Sequence, residues 1–209
     1  MRFEEIEKGI FLLKVSFDNI FTSVFAVCEG EEIALIDTAT TEEDVTTYIL
    51  PALEELSERV GGRLSYILLT HSHGDHAGGA PFLAKHFKGI PVCAYQVMEL
   101  PSFRQLRDGE ILMDRLEVVH LPGHTPYSVG YLDRSSGILL SGDCLQLLGV
   151  GKYTRGVSDR DAYFASVDRL LERGLEGIIA SHEYEPLGSR ARGREETDNY
   201  LKMCKSLLQ

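Results

Sequence analysis

Four short apolar stretches of the sequence end in the same way, and this repeated pattern limits the folds that the chain can adopt. Each closes on a small residue, after which a metal-ligand type of residue follows: residues 66–70 before His71, 118–123 before His124, 138–142 before Asp143, and 178–181 before His182. Runs of this length and composition are typical of buried strands. Because the loops after strands converge on a rigid sheet edge, the pattern predicts a polar site at the strand ends.

The strand-like runs alternate with helical segments in both halves of the chain. Further strands are predicted at residues 11–15, 23–27, 32–36 and 129–132, and helices at residues 42–59, 80–88 and 159–173 and over the last twenty residues. This order predicts one domain, residues 1–209, of the layered α/β class, with sheets inside and helices outside.

Local signals predict where two of the helices begin. Thr41 with Asp44 and Ser158 with Asp161 each have the spacing of a capping box, in which two side chains bond the free backbone N–H groups of a first helical turn. Pro51 is expected to kink or split the first helix, because its ring blocks a helical hydrogen bond.

The negative net charge of the chain indicates which classes of molecule it can bind. The formal net charge is −11, with 44% hydrophobic and 25% charged residues, which is typical of a globular protein. Nucleic acid and anionic membranes attract basic surfaces, so neither is expected as a partner, and a small-molecule substrate is expected instead. The sequence does not indicate an oligomeric state.

Cysteine usage and the first residues favour a cytoplasmic protein. Cys28, Cys93, Cys144 and Cys204 are scattered without a paired Cys-x-x-Cys spacing, so reduced, buried thiols are expected rather than disulfides. The first residues lack the features of a secretory signal, and no apolar run is long enough to span a bilayer.

The strongest chemical signal lies between residues 71 and 76. His71 and His73 are two positions apart, so both rings point to one side of an extended backbone, and Gly74 permits the sharp turn that lets Asp75 and His76 approach the same cavity. Imidazole and carboxylate together suit zinc, iron or manganese. With His124, Asp143 and His182 the chain offers seven candidate ligands, which suits two ions better than one.

These motifs resemble those of one known family. Residues 70–79, Thr-His-Ser-His-Gly-Asp-His-Ala-Gly-Gly, look like the signature of the metallo-β-lactamase-fold hydrolases, and the residues around His124, Asp143 and His182 match its later motifs. The resemblance covers nearly the whole chain. It implies a four-layer αββα sandwich and a site for two divalent ions, with zinc expected and iron or manganese as alternatives.

The resemblance also implies a role for each ligand. It assigns His71, His73 and His124 to a first metal ion and Asp75, His76 and His182 to a second, with Asp143 bridging both. Asp75 and Asp143 are the candidate catalytic residues. The two ions are expected to activate a shared water that attacks a thioester, ester or lactone carbonyl.

Within this family the chain most resembles the glyoxalase II-like group, which hydrolyses thioesters. Glyoxalase II grips glutathione with a helical C-terminal domain, whereas only 27 residues (209 minus 182) follow His182 here. We therefore expect a metal-dependent hydrolase without the glutathione-binding part. Two alternatives stay open: a mononuclear iron persulfide dioxygenase that uses His71, His124 and Asp143, and a non-catalytic metal-binding module.

Four features beside the ligands have both a functional and a structural interpretation. Tyr127 stands where family members often have glycine, and Phe17, Asn19, Phe21 and Thr22 could form a wall for the substrate or an ordinary hairpin turn. The loop of residues 146–157, with Lys152, Tyr153 and Arg155, could be a lid or a solvated loop. Arg190, Arg192 and Arg194 could bind an anion or form a solvated helix flank. Cys144 is expected to pack rather than to bind metal, because neighbours on an extended chain point in opposite directions.

Overall fold

A computed structural model describes residues 1–17, 20–145, 156–183 and 187–208. Asn19, Lys152, Tyr153 and Arg155 lie outside the described residues, as does the Phe17 side chain. The chain divides into two compact units, Met1–Leu106 and Arg107–Gln209. Each unit consists of a β-sheet and helices, as the alternating sequence pattern predicts. In the part of the chain that the structure describes, no helix has the length and apolar character needed to cross a bilayer.

The sheet of the first unit contains, among its described residues, seven strands in sequence order. They are β1 (Glu4–Glu7), β2 (Ile10–Phe17), β3 (Ile20–Glu29), β4 (Glu32–Ile36), β5 (Arg63–Leu68), β6 (Val92–Ala94) and β7 (Phe103–Gln105). Strands β1 to β4 pair antiparallel, whereas β4 to β7 pair parallel. The parallel pairing of β4 with β5 places the ends of both strands at one edge, where the first ligand cluster begins.

Helices of the first unit follow their predicted caps closely. Helix α1 (Glu42–Asp44) begins with the Thr41 and Asp44 capping box, a π-helical turn (Val45–Ile49) follows, and α2 (Leu50–Val60) has a proline in its first turn and ends at Gly61 with φ 68°. The chain stays helical from residue 42 to residue 60, so Pro51 does not end the helix; the irregularity before it is the π-helical turn, in which the Leu50 N–H bonds the Val45 carbonyl. Two shorter helices, α3 (Gly74–Ala77) and α4 (Ala80–His86), follow β5.

The second unit has a sheet of six strands within its described residues, in the order β13-β12-β11-β10-β9-β8. The strands are β8 (Ile111–Leu112), β9 (Leu116–His120), β10 (Val129–Asp133), β11 (Ile138–Gly142), β12 (Gly177–Ala180) and β13 (Arg190–Arg192), and the helices are α5 (Arg160–Arg173) and α6 (Arg194–Ser206). Every residue of β10, β11 and β12 is buried, as expected for their continuous apolar runs. Strands β11 and β12 are parallel, whereas the other neighbours pair antiparallel.

Two local predictions in the second unit are wrong. The N-cap of α5 is Asp159, whose side chain accepts from the Ala162 N–H, whereas the Ser158 hydroxyl donates to the Gly123 carbonyl instead. The last twenty residues are also not one helix, because residues 190–192 pair with β12 as a strand. Helix α6 begins only after Gly193, which has φ 74°.

One buried ion pair joins two strand ends of the second unit. Arg115 bonds both carboxylate oxygens of Asp133 at 2.9 and 3.0 Å, and the hydroxyls of Ser135 and Ser136 donate to the same carboxylate. Burial by itself raises the pKa of Asp133, but the hydrogen bonds from Arg115 and the two serines outweigh it and hold the pKa below its ordinary 3.8. Asp133 therefore contributes stability that is present above pH 3.8 and is lost as the pH falls toward the lower folded pKa.

We predict that Asp133→Asn lowers the free energy of unfolding at pH 6 by about 3 kcal/mol, because Arg115 would lose its buried counter-charge. The difference from wild type should shrink as the pH falls through 3.8 toward 3, because Asp133 of the unfolded wild-type chain takes up a proton there while the folded carboxylate is still ionised. Urea unfolding across this range measures it. Asp114→Asn, at an exposed residue nearby, should change stability little at any pH. A difference for Asp133→Asn that stays constant with pH would contradict the ion-pair account.

Candidate metal centre

The first ligand cluster forms where β4 and β5 leave the sheet side by side. Asp37 directly follows β4, and Thr70 and His71 are the second and third residues after β5. The Asp37 N–H bonds the Leu68 carbonyl at 2.8 Å, and the Thr70 N–H bonds an Asp37 carboxylate oxygen at 2.8 Å. The parallel pair thus brings together polar residues that are 33 positions apart.

Three histidines of the first unit lie in contact. The rings of His71 and His73 have centroids 4.6 Å apart with an edge-to-face arrangement, and those of His71 and His76 are 4.2 Å apart. His71 and His76 are buried, whereas His73 is exposed. The structure therefore brings the predicted imidazole groups of this unit together at the end of β5.

Asp37 orients two of these rings. Its Oδ2 lies 2.7 Å from His76 Nδ1 and 2.9 Å from the Thr70 hydroxyl, whose oxygen in turn lies 3.0 Å from His71 Nδ1. A carboxylate only accepts hydrogen bonds, so His76 Nδ1 donates, and Thr70 gives its single proton to Asp37. His71 Nδ1 must then donate to the Thr70 oxygen. In their neutral form both rings then have the lone pair on Nε2, the atom that a metal ion would bind.

The loop from Asp37 to Thr40 also holds the short helix α3 that carries Asp75 and His76. The Thr38 N–H and hydroxyl both donate to the His76 carbonyl, at 2.7 and 2.9 Å. A Cβ on Gly78 would lie 1.9 Å from the Thr40 carbonyl oxygen, so only glycine permits this close approach. Asp37 itself has φ 62°, a left-handed conformation uncommon outside glycine.

Asp75 lies at the edge of this cluster. Its Oδ2 is 3.4 Å from His76 Nε2 and 3.4 Å from the hydroxyl of Thr22, a buried residue of β3. Thr22 therefore supports a candidate ligand instead of forming an open substrate wall. Phe21 is half-buried, and Lys14 lies over its ring.

The second ligand cluster forms in the other unit by the same device. Asp143 directly follows β11, and His182 comes two residues after the parallel strand β12. One oxygen of Asp143 lies 3.6 Å from His182 Nε2, and the other lies 3.6 Å from His124 Nε2. All three residues are buried, and the carboxylate faces both imidazoles, one oxygen toward each.

The loop that carries His124 is held by α5. The Ser166 hydroxyl donates to the Pro122 carbonyl at 2.7 Å, and the N–H and hydroxyl of Ser158 donate to the Gly123 carbonyl at 2.7 and 2.9 Å. His124 Nδ1 lies 2.5 Å from the Gly156 carbonyl oxygen, which only accepts, so this ring also keeps its lone pair on Nε2.

The donor atoms of both clusters fit a divalent cation. His124 Nε2 and the Asp143 oxygen 3.6 Å from it both present lone pairs, which repel unless a positive charge lies close to them. Imidazole nitrogens and carboxylate oxygens are also the ligand set that zinc, iron and manganese accept. Cys144, next to Asp143, is buried in the apolar cluster behind the sheet and packs there, as predicted.

The other sequence candidates take ordinary positions. Tyr127 is 46% exposed on the His124 loop, and its N–H bonds the Thr125 hydroxyl. Arg190 and Arg192 belong to β13, and Arg194 pairs with Asp198 one turn along α6. No disulfide joins the four cysteines, three of which are buried.

Sequence comparison finds curated enzymes that are similar to this chain. A hydroxyacylglutathione hydrolase of Aeromonas hydrophila is 33% identical over 156 residues, which cover 72% of this chain and 59% of that protein. An atrochrysone carboxyl ACP thioesterase of Pseudocercospora fijiensis is 27% identical over 164 residues, covering 77% of this chain and 47% of that protein. The chain thus spans about half the length of the curated relatives it matches.

Solved structures and a family model agree on the fold. The crystal structure of DIM-1 metallo-β-lactamase superposes with a TM-score of 0.77 at 22% identity, covering 99% of this chain and 96% of that one. The predicted α/β metallo-β-lactamase fold is therefore confirmed. The model of the metallo-β-lactamase superfamily matches residues 18–182, more than half of the chain. With these motifs, this fold and this match, the chain belongs to the metallo-β-lactamase superfamily.

Proposed function

We propose that the two units form one hydrolase domain that binds two divalent metal ions and cleaves small acyl substrates, thioesters first. The observation that carries the proposal is the set of contacts at the imidazoles: oxygens of Thr70, Asp37 and Gly156 lie within hydrogen-bond distance of Nδ1 of His71, His76 and His124, which leaves Nε2 of each ring for a metal ion. Such orientation by hydrogen-bonded partners is the usual arrangement around metal-binding histidines. Zinc is the expected metal, with iron or manganese as alternatives.

Each proposed ligand set combines residues of both clusters. His71, His73 and His124 hold the first ion, Asp75, His76 and His182 hold the second, and Asp143 bridges them. The bridging role is supported by the two oxygens of Asp143, each of which faces a different imidazole at 3.6 Å. A carboxylate turned in this way can give one oxygen to each of two ions.

The chain's own residues prepare the reaction, and the ions supply the activation. When bound, two divalent ions would lower the pKa of a water molecule and polarise the substrate carbonyl. The negative charge of Asp143 would offset the repulsion between two bound cations. We assign to Asp75, which is partly exposed at the rim of the first cluster, the role of accepting a proton from the attacking water or orienting it.

The thioester class is supported by the names of the relatives. One is a thioesterase and the other hydrolyses hydroxyacylglutathione, so an acyl group on sulfur is common to both. The carriers differ between them, an acyl carrier protein in one case and glutathione in the other. We therefore propose the acyl–sulfur carbonyl as the shared target, without assigning a carrier.

The first prediction concerns metal content. Protein purified with an ample supply of zinc, manganese or iron should hold close to two ions per chain, because the seven candidate ligands exceed the roughly four that one tetrahedral ion needs. Elemental analysis of the dialysed protein measures this. A saturating content of one ion would overturn the dinuclear proposal, and one iron with oxygen uptake on a persulfide would favour the dioxygenase. Two ions without turnover of acyl thioesters, oxygen esters or lactones would favour a non-catalytic module.

The second prediction separates the bridge from a terminal ligand. Asp143→Ala removes a ligand from both ions, whereas His182→Ala removes one from the second ion alone. Asp143→Ala should lower kcat roughly a thousandfold or more and reduce total metal below one ion per chain, with a smaller loss for His182→Ala. Metal analysis and turnover of an S-acyl N-acetylcysteamine thioester measure both effects, after circular dichroism confirms folding. If Asp143→Ala keeps both ions and near-normal turnover, Asp143 is not a bridge.

The third prediction tests the orienting role of Asp37. Asp37→Asn keeps the size of the side chain but offers one acceptor atom to three donors, so both His71 and His76 lose their fixed orientation. Metal affinity should fall roughly 10- to 100-fold. Thr70→Val is the graded comparison, because it interrupts the link to His71 and leaves the bond between Asp37 and His76. Competition with a chelator measures both, and equal affinity in wild type and Asp37→Asn would refute the orienting role.

A further inference from the structure

A groove on the first unit lies away from the ligand cluster. It runs between α2 and α4, and it is floored by Leu50, Leu53, Leu64 and Ile90. Leu64 is at the start of β5, whereas the ligands follow the other end of that strand, seven residues or about 20 Å further along. The groove is therefore separate from the proposed metal centre.

The size of the groove suits a small molecule. It encloses about 620 Å³, within the range of roughly 300–1,000 Å³ usual for ligand sites. Its wall on α2 extends from Leu50 to Glu58, eight residues or about 12 Å of helix. Leu50, Leu64, Phe87 and Ile90 are only partly buried, so apolar surface stays open along the floor.

The two walls differ in chemistry. Glu54 and Glu58 stand four residues apart on the exposed face of α2, so their carboxylates are neighbours on one wall. The other wall consists of the rings of His86 and Phe87, which contact each other edge to face, with Phe82 stacked on His86. Carboxylates facing aromatic rings can hold an ammonium group by charge and by cation–π attraction.

The acidic wall is unfavourable for the helix that carries it. Like charges at i and i+4 repel, and a carboxylate in the last turn opposes the negative end of the helix dipole, which is the position of Glu58. No lysine or arginine of the described residues pairs with either carboxylate, whereas the adjacent Glu55 pairs with Arg59. Arg63, at the end of the groove, pairs with Glu31 instead. A cation bound in the groove would relieve both penalties.

We propose that this groove binds a small organic cation, an ammonium group on an apolar body, as a second ligand site of the protein. The apolar body covers the open floor between α2 and α4. The ammonium lies between the carboxylates of Glu54 and Glu58 and the ring of Phe87. This site is independent of the proposed hydrolase activity.

The test compares three probes of one shape with the metal-loaded full chain at pH 7.5: 4-phenylbutylamine, neutral 4-phenylbutan-1-ol and anionic 4-phenylbutyrate. Amide chemical shifts of α2 and α4 should titrate with the amine, which should bind about fivefold more tightly than the alcohol, with butyrate weakest. Glu54→Gln with Glu58→Gln should remove the preference for the amine. Glu42→Gln with Glu43→Gln, the same charge change at exposed residues of α1, should keep it.

Three outcomes would overturn the proposal. These are equal binding of amine and alcohol, equal loss in both double variants, or no saturable shift in α2 and α4. Tighter binding of butyrate would likewise overturn it, by pointing to Arg63 and His86 as an anion site. The amide spectrum outside α2 serves as the folding control, because the Glu54 and Glu58 variants remove repulsion rather than support.

Discussion

The ligand cluster of the first unit depends on the hydrogen bonds that the Asp37 carboxylate accepts. This carboxylate is fully buried, and burying a charge costs on the order of several kcal/mol unless hydrogen bonds offset the lost hydration. The Thr70 N–H, the Thr70 hydroxyl and the His76 ring supply those bonds. Each of the donors belongs to the segment that presents candidate ligands, so the groups that stabilise the charge are the groups that orient the rings.

Parallel strand pairs explain why distant residues meet in both units. Strands β4 and β5 end together and deliver Asp37 beside Thr70, and strands β11 and β12 end together and deliver Asp143 near His182. The helices then fix what the strands deliver. Ser166 of α5 and Ser158, which precedes that helix, hold the His124 loop, so the position of that imidazole depends on packing well outside the cluster.

The sequence predicted the elements whose signals are local and missed those that depend on tertiary contacts. The apolar runs before His71, Asp143 and His182 are buried strands, because continuous hydrophobicity is itself the cause of their burial. Strands β6, β7, β8 and β13 were missed because they are two or three residues long and are defined by their partners. Ser158 and Asp159 can both cap a helix, and only the nearby Gly123 carbonyl decides which of them does.

Asp37 was missed although its signal was present. Residues 32–36 form an apolar run that ends in an acidic residue, the same arrangement that marked Asp143. Because no histidine lies near it in the sequence, this run predicts a strand at residues 32–36 but no site residue at Asp37. Which ring nitrogen each histidine leaves open depends on hydrogen bonds across 32 to 39 positions, and spacing alone cannot supply that.

The hydrogen-bond partner of His124 is a main-chain carbonyl, which affects how the contact can be detected. His76 is oriented by a side chain, whereas His124 is oriented by the main-chain carbonyl of Gly156. Any amino acid carries that carbonyl, so natural selection on this contact would leave no trace in residue identity at position 156. It would act on the course of the backbone instead. Alanine scanning and covariation between columns of an alignment would both overlook half of what aligns these rings, while a one-residue deletion near position 156 would expose it.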